Sequence, residues 1–150
     1  MIRQRRAARV ILLDEDDRVL LIRFEIERRD GQVVFWATPG GGLEGDEDPL
    51  AGARRELMEE LGLDLPLSGP IHEATALFEH EGAPLENTDT FFLARCAASA
   101  PRLEGVDEAE RQAMREIRWW SADEIAASAE AIFPADLAEV VRRASRSGAR

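Results

Sequence analysis

Glu56, Glu59 and Glu60 stand three and four residues apart in a stretch where Leu50, Ala53, Leu57 and Leu61 have helical spacing. On a helix each residue advances about 100°, so the three carboxylates share an arc of about 100°. Glu56 and Glu60, at i and i+4, repel by a few tenths of a kcal/mol and oppose an isolated helix. An acidic face of this kind suits hard cations. Mg²⁺ and Mn²⁺ prefer oxygen ligands, and Mg²⁺ bridges carboxylates to substrate phosphates. Neutralising phosphates and activating water are what hydrolysis of a diphosphate requires. Taken alone, the three glutamates are more often the mark of a solvated surface helix. Upstream, Pro39-Gly40-Gly41-Gly42 changes that balance, because backbone without side chains can approach a ligand or metal and expose carbonyls to it.

Charge is concentrated around these residues. Between Glu44 and Glu60 lie Glu44, Asp46, Glu47, Asp48, Glu56, Glu59 and Glu60, against Arg54 and Arg55 alone. The whole chain of 150 residues carries a net charge of −11, which repels polyanions and argues against nucleic-acid polymers as partners. All 19 basic residues are arginine, so no lysine enters any catalytic scheme. The chain is 45% hydrophobic and 33% charged, as in a globular protein, and its length suits one domain spanning 1–150. No apolar run reaches a membrane span, and the basic start lacks the apolar stretch of a secretion signal. With Cys96 as the only cysteine no intrachain disulfide forms, and the cytoplasm is the expected compartment. Cys96 closes the run Phe91-Phe92-Leu93-Ala94-Arg95 and reads as a packing residue rather than a nucleophile.

The elements that must position the glutamates can be read in order. Ala7–Leu13 and Val19–Ile22 flank the turn-like Asp14–Asp17 and read as a hairpin or adjacent strands. Val33–Trp36 is a third strand, after which the glycine loop interrupts regular structure. Asp48 caps the glutamate helix, Pro49 suits its first turn and Gly62 closes it. Ala74–Phe78 and Thr90–Cys96 are strands joined by a loop holding His80, Glu81, Gly82 and Pro84. Arg102–Arg115 reads as a polar loop, and Glu116–Trp120 as a last strand. Ser121–Glu124 has the form of a capping box, and Pro134 opens a terminal helix with Leu137, Val140, Val141 and Ala144 on one face. Interleaved strands and helices make the class α/β with a mixed sheet.

Gly41, five residues, Glu47, seven residues, then Arg55-Glu56-Leu57-Met58-Glu59-Glu60-Leu61-Gly62-Leu63 resembles the signature of the Nudix hydrolase family at every defined position. The match spans 23 residues, and the strand order around it suits the family's α/β/α sandwich. The resemblance implies that Glu59 and Glu60 ligate Mg²⁺ or Mn²⁺, with Glu56 as a further ligand or base. The carbonyl of Gly40 or Gly41 would complete part of the shell. Arg55 and Glu47 would form an ion pair that orients helix and loop without touching substrate. A further acidic ligand from a later loop is implied between Glu104 and Glu116, with Glu108 and Glu110 the best candidates. His72 and His80 could act as bases, though a lone histidine beside a strand is more often structural.

The activity so implied is attack of a metal-activated water on a phosphorus of a small nucleoside diphosphate-X or nucleoside triphosphate-type molecule, assisted by Glu56. A non-catalytic nucleotide-sensing module on the same fold is the rival reading. Isomerisation of a diphosphate lipid precursor is another, but it needs an additional nucleophile or acid, and Cys96 sits in an apparent core strand. Whether the chain forms a homodimer is open. Specificity should reside in Phe24–Trp36, the 79–90 loop and the 100–116 loop. Phe35 and Trp36 could stack on a base, with a core position the better expectation for at least one of them.

Overall fold

The computed structural model describes residues 2–28, 30–80, 82–103 and 114–148. Strands β1 (Arg3–Leu13), β2 (Val19–Arg28), β3 (Gly31–Ala37) and β4 (Gly40–Gly42) precede helix α1 (Pro49–Leu61). Strands β5 (Ser68–His80), β6 (Ala83–Arg95) and β7 (Met114–Trp120), helix α2 (Ala122–Ala127), strand β8 (Ala131–Phe133) and helix α3 (Leu137–Gly148) follow. The strands form a mixed sheet in the order β5-β6-β1-β2-β3-β8, with β4 added to β1 and β7 to β2.

Alternation along β1 divides the molecule into two layers. Ala8, Val10 and Leu12 face α1, where Ala53, Leu57 and Leu61 meet them beside Leu20 and Phe92. Ile11 and Leu13 face the other way and pack with Leu21, Trp36, Trp120 and the α3 residues Leu137, Val140 and Val141. A strand buried on both faces reads as a continuous apolar run, which is what Val10–Leu13 shows. The helices therefore cover both faces of one mixed sheet, as expected of an α/β/α sandwich. Among the described residues, no helix is long and apolar enough to cross a membrane.

Two features set up the site. β1 and β6 run parallel in unbroken register from Arg3↔Leu85 to Leu13↔Arg95. β1 and β2, in contrast, pair only at Leu13↔Val19. The sheet therefore splays from that point, and β4 pairs with β1 where β2 has left it.

Three expectations from the sequence are corrected. The glycine segment is not a loop but a strand, because its bare backbone lies antiparallel on β1 with Ala8 opposite Gly41. At Gly40, φ is +143°, and a Cβ would stand 2.3 Å from the Ala8 carbonyl oxygen, so only glycine fits this approach. The 79–90 loop is instead a hairpin, with residues 83–90 in β6, where Asn87 and Asp89 belong to the sheet. The terminal helix begins at Leu137, whose N–H donates to the Pro134 carbonyl in the turn before it. β8 went unread because a three-residue strand carries too little periodicity to register.

Candidate active site

Helix α1 is fixed at both ends. The Asp48 carboxylate accepts from the N–H groups of Leu50 and Ala51, and Pro49 takes the first helical position. At the other end Gly62, with φ 68°, donates its N–H to the Met58 carbonyl. Burial of Ala53, Leu57 and Leu61 sets the rotation of the helix about its axis. Glu56 and Glu60 are thereby turned towards β4, and Glu59 lies more exposed.

Each glutamate has its own surroundings. Glu60 is only 4% exposed, and its Oε1 accepts from the Gly40 N–H at 2.9 Å. Glu56 presses on the next residue of the glycine strand: a Cβ on Gly41 would lie 2.8 Å from its carboxyl carbon. Burial pushes the Glu56 carboxyl pKa up, against the pull of Arg55. Glu59 accepts from Arg55 Nη1 at 2.8 Å.

Arg55 ties these groups together. Its Nε and Nη2 each donate to one oxygen of Glu47, both at 2.9 Å, in a two-pronged pair. Nη2 also donates to the Gly42 carbonyl at 3.2 Å, and Nη1 to Glu56 at 2.9 Å. The bonds from Arg55 hold the Glu47 carboxyl down at about 2, and the bonds to Glu47 raise the guanidinium above its ordinary value. The helix–loop ion pair expected from the sequence is thus present as a contact, and it reaches the glycine strand as well.

The three α1 carboxylates do not converge on one point. Among the described residues, no three acidic, histidine or cysteine side chains are clustered as a preformed cation cage. The donor set nevertheless fits a hard divalent ion. It is all oxygen, it includes a desolvated carboxylate at Glu56, and the missing Cβ of Gly41 leaves the approach to that carboxylate clear. Glu108 and Glu110 lie outside the described residues, as does the His80 side chain. Of the 104–116 segment, Glu116 is described, exposed on β7 opposite Arg23. His72 belongs to the opposite layer: its Nε2 is 3.0 Å from Asp136, and its ring lies 5.6 Å from that of Phe91. Cys96 is half-buried against the α1 core, and that burial raises its thiol pKa.

The two aromatic candidates part company. Trp36 is 2% exposed, packs edge-on against Trp120 and donates from Nε1 to Glu130, so it is a core residue. Phe35 lines a cleft of about 570 Å³ between the splayed strands. There it stacks on Phe24 at 5.2 Å and meets Phe133 edge-on at 5.6 Å. The facing wall combines Ala76, Leu77 and Phe78 of β5 with a polar chain on β1 and β6. Arg5 Nη1 donates to Asn87 Oδ1, Asn87 Nδ2 to Asp89, and Arg9 Nε to the same Asp89 oxygen. Arg9 Nη1 then reaches the Thr38 carbonyl, beside the glycine strand. Sequence reasoning missed Phe133, Arg5, Arg9, Asn87 and Asp89. A usable signal was the same-face alternation Arg3, Arg5, Ala7, Arg9 along β1.

A sequence model of the family described as "NUDIX domain" matches residues 3–143. An RNA pyrophosphohydrolase of Roseobacter denitrificans is 47% identical over 47 residues, which are 31% of this chain and 29% of that protein. The matched stretch is thus under a third of that relative's length. The crystal structure of a MutT protein from Methanosarcina mazei superposes with a TM-score of 0.69 at 20% identity, covering 99% of this chain and 98% of that one. The NUDIX domain of Shewanella oneidensis NrtR, crystallised with ADP ribose, gives 0.68 at 17% identity, covering 95% and 89%. At these identities the structures speak for the fold.

Proposed function

This chain belongs to the NUDIX domain family, and we propose that it is a divalent-metal-dependent hydrolase that cleaves a diphosphate linkage in a small nucleotide-like substrate. The observation that carries this reading is the seating of Glu56 and Glu60 against a strand of bare glycine backbone, with Arg55 bracing the arrangement. Mg²⁺ or Mn²⁺, when bound, would supply neutralisation of phosphate charge and a lowered pKa for attacking water.

The protein's own residues supply the rest. Glu59 and Glu60, with the carbonyl of Gly40 or Gly41, would hold the ion. Glu56, which lies beside Gly41, would take the proton from water or add a further ligand. Glu47 and Arg55 act through position: the two-pronged pair sets where the carboxylates stand. The splayed cleft beside β4 would receive the substrate's organic part, with Phe35 and Phe133 as its aromatic wall. This chemistry needs no partner beyond the small molecule, and the cytoplasm is the compartment it implies.

Glu59→Gln and Glu60→Gln remove charge while barely changing size. We expect each to abolish Mg²⁺-dependent turnover on a panel of nucleoside triphosphates and nucleoside diphosphate derivatives, with an unchanged circular dichroism spectrum. Wild-type-like turnover by both variants would overturn the assignment. A wild type that binds panel members but releases neither phosphate nor nucleotide would favour a sensing module instead.

A further inference from the structure

The exposed end of β1 stands between two clefts. One is the aromatic cleft of about 570 Å³ already described. The other, about 560 Å³, opens where Arg3, Arg5 and Arg6 face Gly42 and Gly45. Arg5 lines both, so it occupies the ridge between them.

The β1 arginines are not electrically equivalent. Arg9 is answered by the Asp89 carboxylate at 3.2 Å. Arg5 is answered by a neutral amide, Asn87 Oδ1 at 2.8 Å, and Arg6 by the Gly45 carbonyl at 3.5 Å. In a chain of net charge −11, these two guanidinium groups are held by dipoles rather than by a carboxylate. Asn87 is 7% exposed and is itself oriented by Asp89, so Arg5 is aimed by a buried group that leaves its charge uncancelled. Its remaining N–H donors form a fork suited to a phosphate.

The position matches that chemistry. Successive residues of a strand point to opposite faces, so Arg5 and Arg6 leave β1 on different sides, yet both line the second cleft at the strand's open end. A Cβ on Gly41 would meet the Glu56 carboxylate, and one on Gly42 would lie 3.0 Å from Arg5 Nη2. The glycine strand thus carries a carboxylate on one face and a guanidinium on the other, one residue apart. Resting on the hydrolase reading above, we propose that Arg5 and Arg6 form a second anion site, for a phosphate beyond the diphosphate held at the glutamate helix. The preferred substrate is then a nucleoside polyphosphate rather than a nucleotide sugar, which would offer hydroxyls where this site offers two cations.

Kinetics on the full chain with Mg²⁺ would compare a nucleoside triphosphate with a nucleotide sugar of the same base, in wild type, Arg5→Gln and Arg6→Gln. The KM for the triphosphate is expected to rise about 10- to 100-fold in Arg5→Gln and less in Arg6→Gln, with kcat within about twofold, as for a lost charge-assisted hydrogen bond. The KM for the nucleotide sugar, whose organic part meets the same cleft wall, should rise by much less, under about threefold. Equilibrium titration of a non-hydrolysable methylene analogue of the triphosphate into wild type and Arg5→Gln should show the same loosening without turnover. Equal weakening of both ligand classes, or of neither, would overturn the anion site. Arg5-dependent binding of the analogue by a wild type that hydrolyses nothing would uphold the site and remove the hydrolase reading, so the two failures are separable.

Discussion

Arg55 uses every edge of its guanidinium: Nε and Nη2 on Glu47, Nη2 also on Gly42, and Nη1 on Glu56 and Glu59. A lysine could not meet all four partners, because its ammonium has three donors on a compact point charge and lacks the planar fork. The pairing has a pH signature that can be worked out from Glu47. Its pKa is lowered from 4.5 to about 2, so the pair's contribution to stability is fully present above pH 4.5 and is lost as pH falls towards 2. In Glu47→Gln that acid-sensitive part should vanish. Melting temperature followed from pH 5 to 2 is expected to fall less steeply in the variant than in wild type; parallel curves would refute the coupling. At this scale the sequence was generous, since helical spacing put the three glutamates on one face and the family resemblance implied the pairing of Glu47 with Arg55. It gave no hint that Glu60 would be buried against Gly40 while Glu59 stayed at the surface. That division depends on how the helix is rolled against the sheet, which spacing along one element cannot encode.

Helix α1 was legible because each of its boundaries has a local chemical cause: Asp48 at the start, Pro49 behind it, and glycine in the left-handed region at position 62. Removing the cap tests that directly. Asp48→Ala should cost about 1 kcal/mol in denaturant unfolding, with activity retained once the protein is folded. An unchanged unfolding midpoint would mean that packing alone holds the first turn. The glycine strand was misread for an instructive reason. Three glycines carry neither alternation nor β-propensity, and what makes Gly40–Gly42 a strand is the backbone of β1 lying alongside it. The residues from 83 to 90 were misread in a similar way. Asn87, Thr88 and Asp89 look like turn formers, yet an unbroken parallel ladder with β1 enforces strand geometry on them. Partner strands, more than local preference, decided both segments.

Across the molecule, one sheet keeps two apolar clusters apart. Leu57 belongs to the cluster under α1 and Leu137 to the one under α3, and the two clusters share no buried member. Leu57→Ala and Leu137→Ala should each cost about 2–5 kcal/mol. Combined, their costs should add to within about 0.5 kcal/mol, as for independent sites. A double variant that departs from the sum would mean that the sheet transmits strain between the layers. β1 takes part in both clusters and also carries the arginines of the two clefts, all on one two-residue repeat. A slip of one residue in such a strand turns every side chain to the other face. Inserting or deleting a residue within β1 would therefore invert recognition and core together and would be lost with the fold. With the proposed anion site, ligand preference could change by exchanging side chains at positions 5 and 6, but not by changing the length of the strand that bears them.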